Sequence, residues 1–595
     1  MHHSRKRRRL TRRDFLRGTG LVLSGLLLEA CGRRRVRVTA TLPPSNGGEA
    51  PAASTIAQTQ PVPLPTDTAL AVEPADLALT GGHIYTMDPA DSVAQALAVR
   101  GDRIVAVGAD DQVRAFIGPQ TEVIDVGGKM VMPGLIDAHN HLQVWGNLIN
   151  NYLPLVPPEV STLNQLLDRV AAAVAQSQPG EWIQGYYWNI DPPPNRADLD
   201  PISPDNPVWL IQQGGHFGSC NSMALEIAGI TAQTHNPPGG VIERDSAGVP
   251  TGRFYNHRAM DLVRRYAPQP DQERIMANIR MAERKFAAVG VTTFQDCNAR
   301  FSALQAYLEA GRRHAMMLRG DVFYTVEWPA DLDRALNQIE PLDDEFMRFS
   351  GYKFLIDGQF PTWYTREPHP GISWDMPTWD PQNFKDAIKA LHDTGFQIAV
   401  HCGGDAAVDL TLDAFEAAMN ANPRPDPRHR IEHATICAKD SVLRMADLGV
   451  VVSTQPQFIR FAKDVVAKLG EERAGRIMVT RDWLDAGVTV ALGSDTPSAP
   501  WYEPQVTLVG AVTRIDANGG RHHPEQAMTI QEALRAHTMG SAIAGKEEQD
   551  KGSLEPGKLA DLAVWKQDLT TLKPADLMRA AVDMTLVGGK VVYQA

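Results

Sequence analysis

Two histidines two positions apart, His139 and His141, close the stretch MVMPGLIDAHNH at positions 130–141. Side chains two apart in an extended strand share a face. Both imidazoles therefore leave the end of a buried strand side by side, as two ligands of one metal ion require. His-x-His alone is common; further polar residues at downstream strand ends give it weight. Gly214-Gly215-His216 comes after an apolar run at 208–212, and Gln295-Asp296-Cys297 after one at 290–295. Lys353 stands near the start of a run at 352–356, with Asp357-Gly358 behind it. His401, His433 and Ser494-Asp495 come after the runs beginning at 397, 430 and 488. Neutral imidazoles with carboxylates suit zinc or a similar divalent ion.

Such groups must be carried by strands whose ends meet. Counting 131–136 and a run at 450–455, the chain offers eight apolar strand-like runs, many separated by helix-like segments such as 271–288, 382–394 and 406–419. Eight is the count of a (β/α)8 TIM-like barrel, which places its chemistry at the C-terminal ends of its strands. Pro- and Gly-rich sequence around 190–255 interrupts the alternation and reads as an insertion or a set of lid loops. Short strand-like runs at 77–85, 96–108 and 123–126 are matched by others at 560–565 and 584–593. The expected organisation is an α/β chain: a barrel over 133–549 and a small β-sandwich built from 76–132 and 550–595. Thr529-x-x-Glu532 reads as a capping box opening a late helix.

The stretches GLIDAHNH, GVTTFQD, HCGGDAAVDLTLDAFE, RHRIEHA, GSD and GSLEPGKLADLAV, with Lys353 and its following Asp-Gly, together resemble the amidohydrolase superfamily. They are most similar to its family 3 branch, the YtcJ-like metal-dependent hydrolases, from about position 76 to the C-terminus. The resemblance implies residue roles. His139, His141 and Asp495 would bind the more buried ion, and His401 and His433 a second. Lys353, carboxylated by carbon dioxide, would bridge them. It implies two zinc ions, with a single zinc, iron or manganese as alternatives. The implied reaction is attack of a metal-bound hydroxide on a non-peptide C–N bond of a linear amide or N-acyl compound, with Asp495 moving the proton and His216 a helper at the carbonyl oxygen. Deaminases of the same superfamily carry Glu three residues after the fifth-strand histidine; Gly404 stands there instead. A third reading is an envelope lipoprotein that binds a ligand without turning it over.

Two departures from the family pattern bear on substrate. Pro250-Thr251-Gly252 is followed by Arg253-Phe254-Tyr255-Asn256 rather than a nearby carboxylate, and Asp357-Gly358 by the bulky run Gln359 to Thr365. Both are expected beside the substrate.

Composition sets the remaining bounds. The 595 residues are 43% hydrophobic and 22% charged, ordinary for a globular protein. Positions 1–37 hold twelve Lys/Arg against Asp14 and Glu29, so the rest of the chain carries −22 against a total of −12. An acidic body of that kind disfavours nucleic acid as a partner and leaves a small-molecule substrate. Thr11-Arg12-Arg13-Asp14-Phe15-Leu16-Arg17 resembles a twin-arginine export motif, and Leu28-Glu29-Ala30-Cys31 a lipobox. The expectation is a signal over 1–31, a lipid anchor on Cys31, a flexible tether over 32–75, and residence on the outer side of the cytoplasmic membrane. Cys220, Cys297, Cys402 and Cys437 form no disulfide framework or zinc pattern and read as buried small hydrophobes. The oligomeric state is left open.

Overall fold

A computed structural model describes residues 72–327, 329–360, 362–368, 376–499 and 501–595. The twin-arginine stretch, Cys31 and the tether as far as position 71 lie outside the described residues. Among the described residues, no helix is long and apolar enough to cross a membrane.

Eight parallel strands run in chain order through one nearly closed sheet. They are Leu135–Asn140, Val291–Ala299, Arg319–Thr325, Met347–Leu355, Gln397–Cys402, Arg430–His433, Val451–Thr454 and Val490–Leu492. Helices such as Gln272–Ala287, Pro381–His392 and Asp405–Ala421 bury one face against it. The gap between the first and eighth strands is bridged at the C-terminal mouth. There Asp495 N donates to His139 O at 2.7 Å, and His141 N donates to Thr496 O at 2.8 Å. Gly493 permits this approach, because a Cβ there would stand 2.5 Å from His139 N. The capping box forms as read, with Thr529 accepting from Glu532 N.

The TIM-like barrel matches the sequence reading in its count of eight, but one member differs. Val208–Gln212 is not a barrel strand; it lies in a separate six-stranded sheet, between Ile183–Trp188 and Phe217–Cys220. The strand it displaced from the count is Arg319–Thr325. That strand is buried at every position yet carries Arg319 and Asp321. Arg319 pairs with Asp561 at 2.7 Å and Asp321 with Arg348 at 2.9 Å. Paired charges broke the apolar pattern by which buried parallel strands are read. Lys353 is also placed differently: it stands two residues before the end of Met347–Leu355, not at a strand's start.

The inserted sheet runs from Leu153–Pro154 to Pro250–Tyr255 in the chain, so it begins upstream of the Pro- and Gly-rich stretch. Two further sheets take strands from the ends of the described chain. One joins Leu77–Thr80, Ala96–Arg100, Arg103–Gly108 and Glu122–Asp125. The other places Met130–Pro133 beside Leu562–Trp565, followed by Val582–Val587. Their shared core includes Leu79, Leu97, Val131, Leu562 and Leu586. The strand Met130–Pro133 feeds directly into the first barrel strand, so this layer sets where His139 emerges.

Candidate metal centre and active site

Six imidazoles and one carboxylate gather over the barrel mouth. His139 stands one residue before the end of the first strand, and its ring lies 5.1 Å from His141 and 4.6 Å from His433, which in turn lies 4.4 Å from His401. His216 lies 5.5 Å from His401, and His257 4.8 Å from His216. Asp495 faces the first pair: its Oδ1 is 3.0 Å from His141 Nε2 and 3.4 Å from His139 Nε2. Both Asp495 and His433 adopt left-handed backbone, at φ 53° and 69°. Non-glycine residues persist in that region where the surroundings over-determine them, as at functional sites.

Three of these rings are oriented by a hydrogen bond on another side, a common support for metal-ligating histidine. His139 Nδ1 is 2.5 Å from Glu432 Oε2, and Glu432 is in turn held by Arg430 Nε at 2.7 Å. Arg430 is wholly buried and also donates to Ala138 O at 2.6 Å, tying the sixth strand to the first. His433 Nδ1 is 2.6 Å from Gln455 Oε1, and His401 Nε2 is 3.2 Å from Gly358 O. Asp357 accepts from Gly403 N at 2.9 Å and Gly404 N at 2.8 Å, shaping the turn after His401.

The electrostatics favour ligand forms of these groups. Burial lowers the pKa of His433, with help from the charge of His139, to about 3. Burial also takes His401 and His216 well below the ordinary imidazole value, and His141 somewhat below it. His139 is the exception: burial and Lys353 push it down, but Cys297, Glu432 and Asp495 raise it well above the usual value. Burial opposes the charge on Asp495, yet His139 and His141 hold its pKa well below the ordinary carboxylate range. Glu432 is likewise kept ionised against burial by Arg430 and His139.

The site also holds buried polar atoms with no hydrogen-bond partner: His139 Nε2, His141 Nδ1 and Lys353 Nζ. Orphaned buried groups are costly and call for an explanation. A divalent cation between His139, His141 and Asp495 fits, since their ligand atoms lie within 4.8 Å of one another. The donor chemistry, imidazole and carboxylate, suits zinc. His139, Cys297 and Glu432 make a second group within the same limit.

All the sequence-derived site residues within the described chain line one cavity of about 700 Å³: His139, His141, His216, Lys353, His401, His433 and Asp495. His216 reaches it from the inserted sheet instead of from a barrel strand. Among the described residues, neither departure segment lines it. Arg253 and Tyr255 turn to Glu243 instead, at 3.1 and 2.6 Å. Trp363 packs with Ile436 and Ile459. The aromatic wall comes from Tyr152, Tyr186, Tyr187, Phe301 and Tyr324. The free cysteines are all buried, as read, but Cys297 also reaches the cavity. Sequence reasoning missed Glu432, Tyr187, His257 and Glu327. Glu432 was findable, because Arg430 and Glu432 sit two apart in a strand and share a face. His257 and Glu327, 3.4 Å apart, meet only through tertiary packing.

Comparison with known proteins decides the family. The model of the amidohydrolase family matches residues 122–593. The chain belongs to the amidohydrolase family. This amidohydrolase is 34% identical to Protein LONG AFTER FAR-RED 3 of Arabidopsis thaliana, over 87% of this chain and 92% of that one. It is 32% identical to an N-substituted formamide deformylase of Arthrobacter pascens, over 87% of this chain and 98% of that one. A crystal structure of an uncharacterized metal-dependent hydrolase from Pyrococcus furiosus superposes with a TM-score of 0.66 at 26% identity, covering 83% of this chain and 100% of that one. The amidohydrolase is thus a hydrolase on a TIM-like barrel, with the histidine and carboxylate cluster at the barrel's mouth.

Proposed function

We propose that this amidohydrolase cleaves a non-peptide C–N bond, that of a linear amide or N-acyl compound, at a divalent metal centre. The observation that carries the reading is the convergence of unpartnered His139 Nε2 and Lys353 Nζ, with the ionised Asp495, on one cavity. His139, His141 and Asp495 would hold one ion, and His401 and His433 a second. Lys353 would bridge them as its carbon dioxide adduct, giving its buried nitrogen the partner it lacks. When bound, the ions supply acidification of a water and polarisation of a carbonyl oxygen. The remaining work belongs to the chain. Asp495 Oδ1 takes the proton of the attacking water and returns it to the leaving nitrogen. Glu432 fixes the ring of His139, and Ser498 Oγ, donating to Asp495 Oδ1 at 3.1 Å, fixes the carboxylate. His216, kept neutral by burial, hydrogen-bonds the substrate from above.

The bond class draws on the Arthrobacter pascens relative, whose name specifies N-substituted formamides. Deamination is disfavoured at Gly404, where a Cβ would stand 2.0 Å from Tyr364 O, leaving no room for an acidic side chain. The test is zinc-replete protein assayed in bicarbonate against N-alkyl and N-aryl formamides and acetamides, the matching esters, and aminopurines. Amide turnover supports the reading. Tight ligand binding with no turnover of any compound would contradict it in favour of a binding lipoprotein.

We further propose that residues 1–31 direct export and that Cys31 carries a lipid anchor. Mass spectrometry of the membrane fraction should find an acylated N-terminal Cys31; an unmodified Cys31 would contradict the anchor.

A further inference from the structure

The inserted sheet supplies part of the cavity wall, and one of its side chains is held in an unusual way. Tyr187 lies in Ile183–Trp188, at the register shift between Tyr186 and Trp188 where this strand pairs with Val208–Gln212. Its backbone is left-handed, at φ 83°. A bulge in this position re-aims a side chain that regular alternation would send elsewhere, and a non-glycine residue keeps a left-handed backbone only where its surroundings hold it there. The ring is anchored: it packs with Leu148 and Tyr186 against the helix Leu142–Asn151, which starts directly after His141. The residue is 5% exposed, and its hydroxyl has no hydrogen-bond partner.

Other buried groups lack partners as well, including the indole nitrogens of Trp188 and Trp209. Those two do not line the cavity, and Tyr187 does, alongside His139, His141, Lys353 and Asp495. It is near enough to Asp495 to feel that charge, which adds to burial in raising the phenol's pKa. A phenol is in any case protonated near neutral pH, so the hydroxyl is a donor there. A protonated donor, fixed by a left-handed backbone and a packed ring, on a residue that lines the same cavity as the ligand cluster and with no hydrogen-bond partner in the protein, is preorganised for a ligand acceptor.

We propose that Tyr187 is a further catalytic residue: its hydroxyl donates a hydrogen bond to the substrate's carbonyl oxygen and strengthens it as that oxygen gains charge in the tetrahedral transition state. The proposal rests on the amide-hydrolysis reading of this site. No bond of the phenol breaks; its proton stays on oxygen throughout. The alternative account is a tyrosine that fills space beneath the inserted sheet, for which the ring matters and the oxygen does not.

The experiment compares wild type, Tyr187→Phe and the control Tyr266→Phe, an exposed tyrosine off the cavity, all zinc-replete, on whichever formanilide or acetanilide the wild type hydrolyses. Loss of one oxyanion donor lowers kcat by about 100-fold. That loss is expected for Tyr187→Phe, with KM within about threefold, whereas Tyr266→Phe keeps the wild-type rate. A binding readout accompanies it. Affinity for a phosphinate analogue of the same amide, which mimics the tetrahedral state, should fall by a similar factor in Tyr187→Phe, with zinc content unchanged. Wild-type kcat and phosphinate affinity in Tyr187→Phe would overturn the assignment and leave amide hydrolysis standing. Loss of zinc from that variant would also overturn it, giving the tyrosine a structural part. Absence of amide turnover by the wild type would overturn both readings.

Discussion

The cavity has two faces built on different terms. The barrel mouth presents His139, His141, Lys353, His401, His433 and Asp495 from strand ends or the turns just after them. Its rings are held from behind by Glu432, Gln455 and Gly358. The inserted sheet presents Tyr187, His216 and His257 from a bulge, a loop and a helix start. Among these, the His216 ring lies 4.8 Å from that of His257, tilted by 44°, and Tyr187 has no partner for its hydroxyl. The difference amounts to a division of labour. On the proposed reading, the mouth holds the metal and the inserted sheet supplies groups that meet the substrate. Barrels support varied chemistry by this means, keeping strand ends fixed while the connecting segments vary.

Substitutions can break or sharpen that division. The largest effect is expected from His139→Ala, which removes a ligand from the first ion. Zinc content by plasma mass spectrometry should fall by at least one equivalent, and turnover should drop to background. Unchanged zinc would remove His139 from the ligand set. Next comes Asp495→Asn, which should retain the fold and most of the metal while lowering kcat by about 10³-fold. Wild-type rates would refute its part in proton transfer. Glu432→Gln tests whether support behind the ring matters, and zinc affinity should weaken by about 10–100-fold. If it weakens no more than in His257→Gln, the contrast between mouth and roof fails. On the roof side, His216→Asn should leave zinc content intact and cost about tenfold in kcat/KM, the worth of one hydrogen bond to a developing charge.

The smallest effect concerns acid stability and the barrel alone. His537, buried beneath the first strand with Nδ1 3.4 Å from Ile136 O, has its pKa lowered by burial to about 4 from 6.5. Its folded pKa is depressed, so the unfolded chain takes up the proton first. The stability is full above pH 6.5 and is lost as pH falls toward 4. Between pH 7 and 5 this histidine costs about 2 kcal/mol. His537→Phe should therefore show a smaller shift in urea midpoint between those pH values than wild type; an equal shift would contradict the assignment.

The same contrast explains how much of the molecule is legible in the chain. The mouth was legible because ligands at strand ends leave a local signature: an apolar run, then His or Asp. Arg319–Thr325 escaped because its charges are neutralised by partners far away in sequence, Asp561 and Arg348. Val208–Gln212 reads as a barrel strand from sequence because apolar content identifies a strand and not the sheet it joins. His216 was found by its glycine turn, although placed on the wrong sheet. Tyr187 and His257 left no signal, because a bulge and an inter-element contact are properties of the folded chain.

Hydrolysis by this chain requires the barrel-mouth cluster to work as a divalent metal centre. The most direct test is to strip the full protein with a chelator, then titrate zinc back in bicarbonate while recording amide turnover and bound zinc together. Turnover is expected to disappear with the metal and to return in proportion to zinc bound, saturating at one or two equivalents. Full turnover in the stripped protein would contradict that requirement.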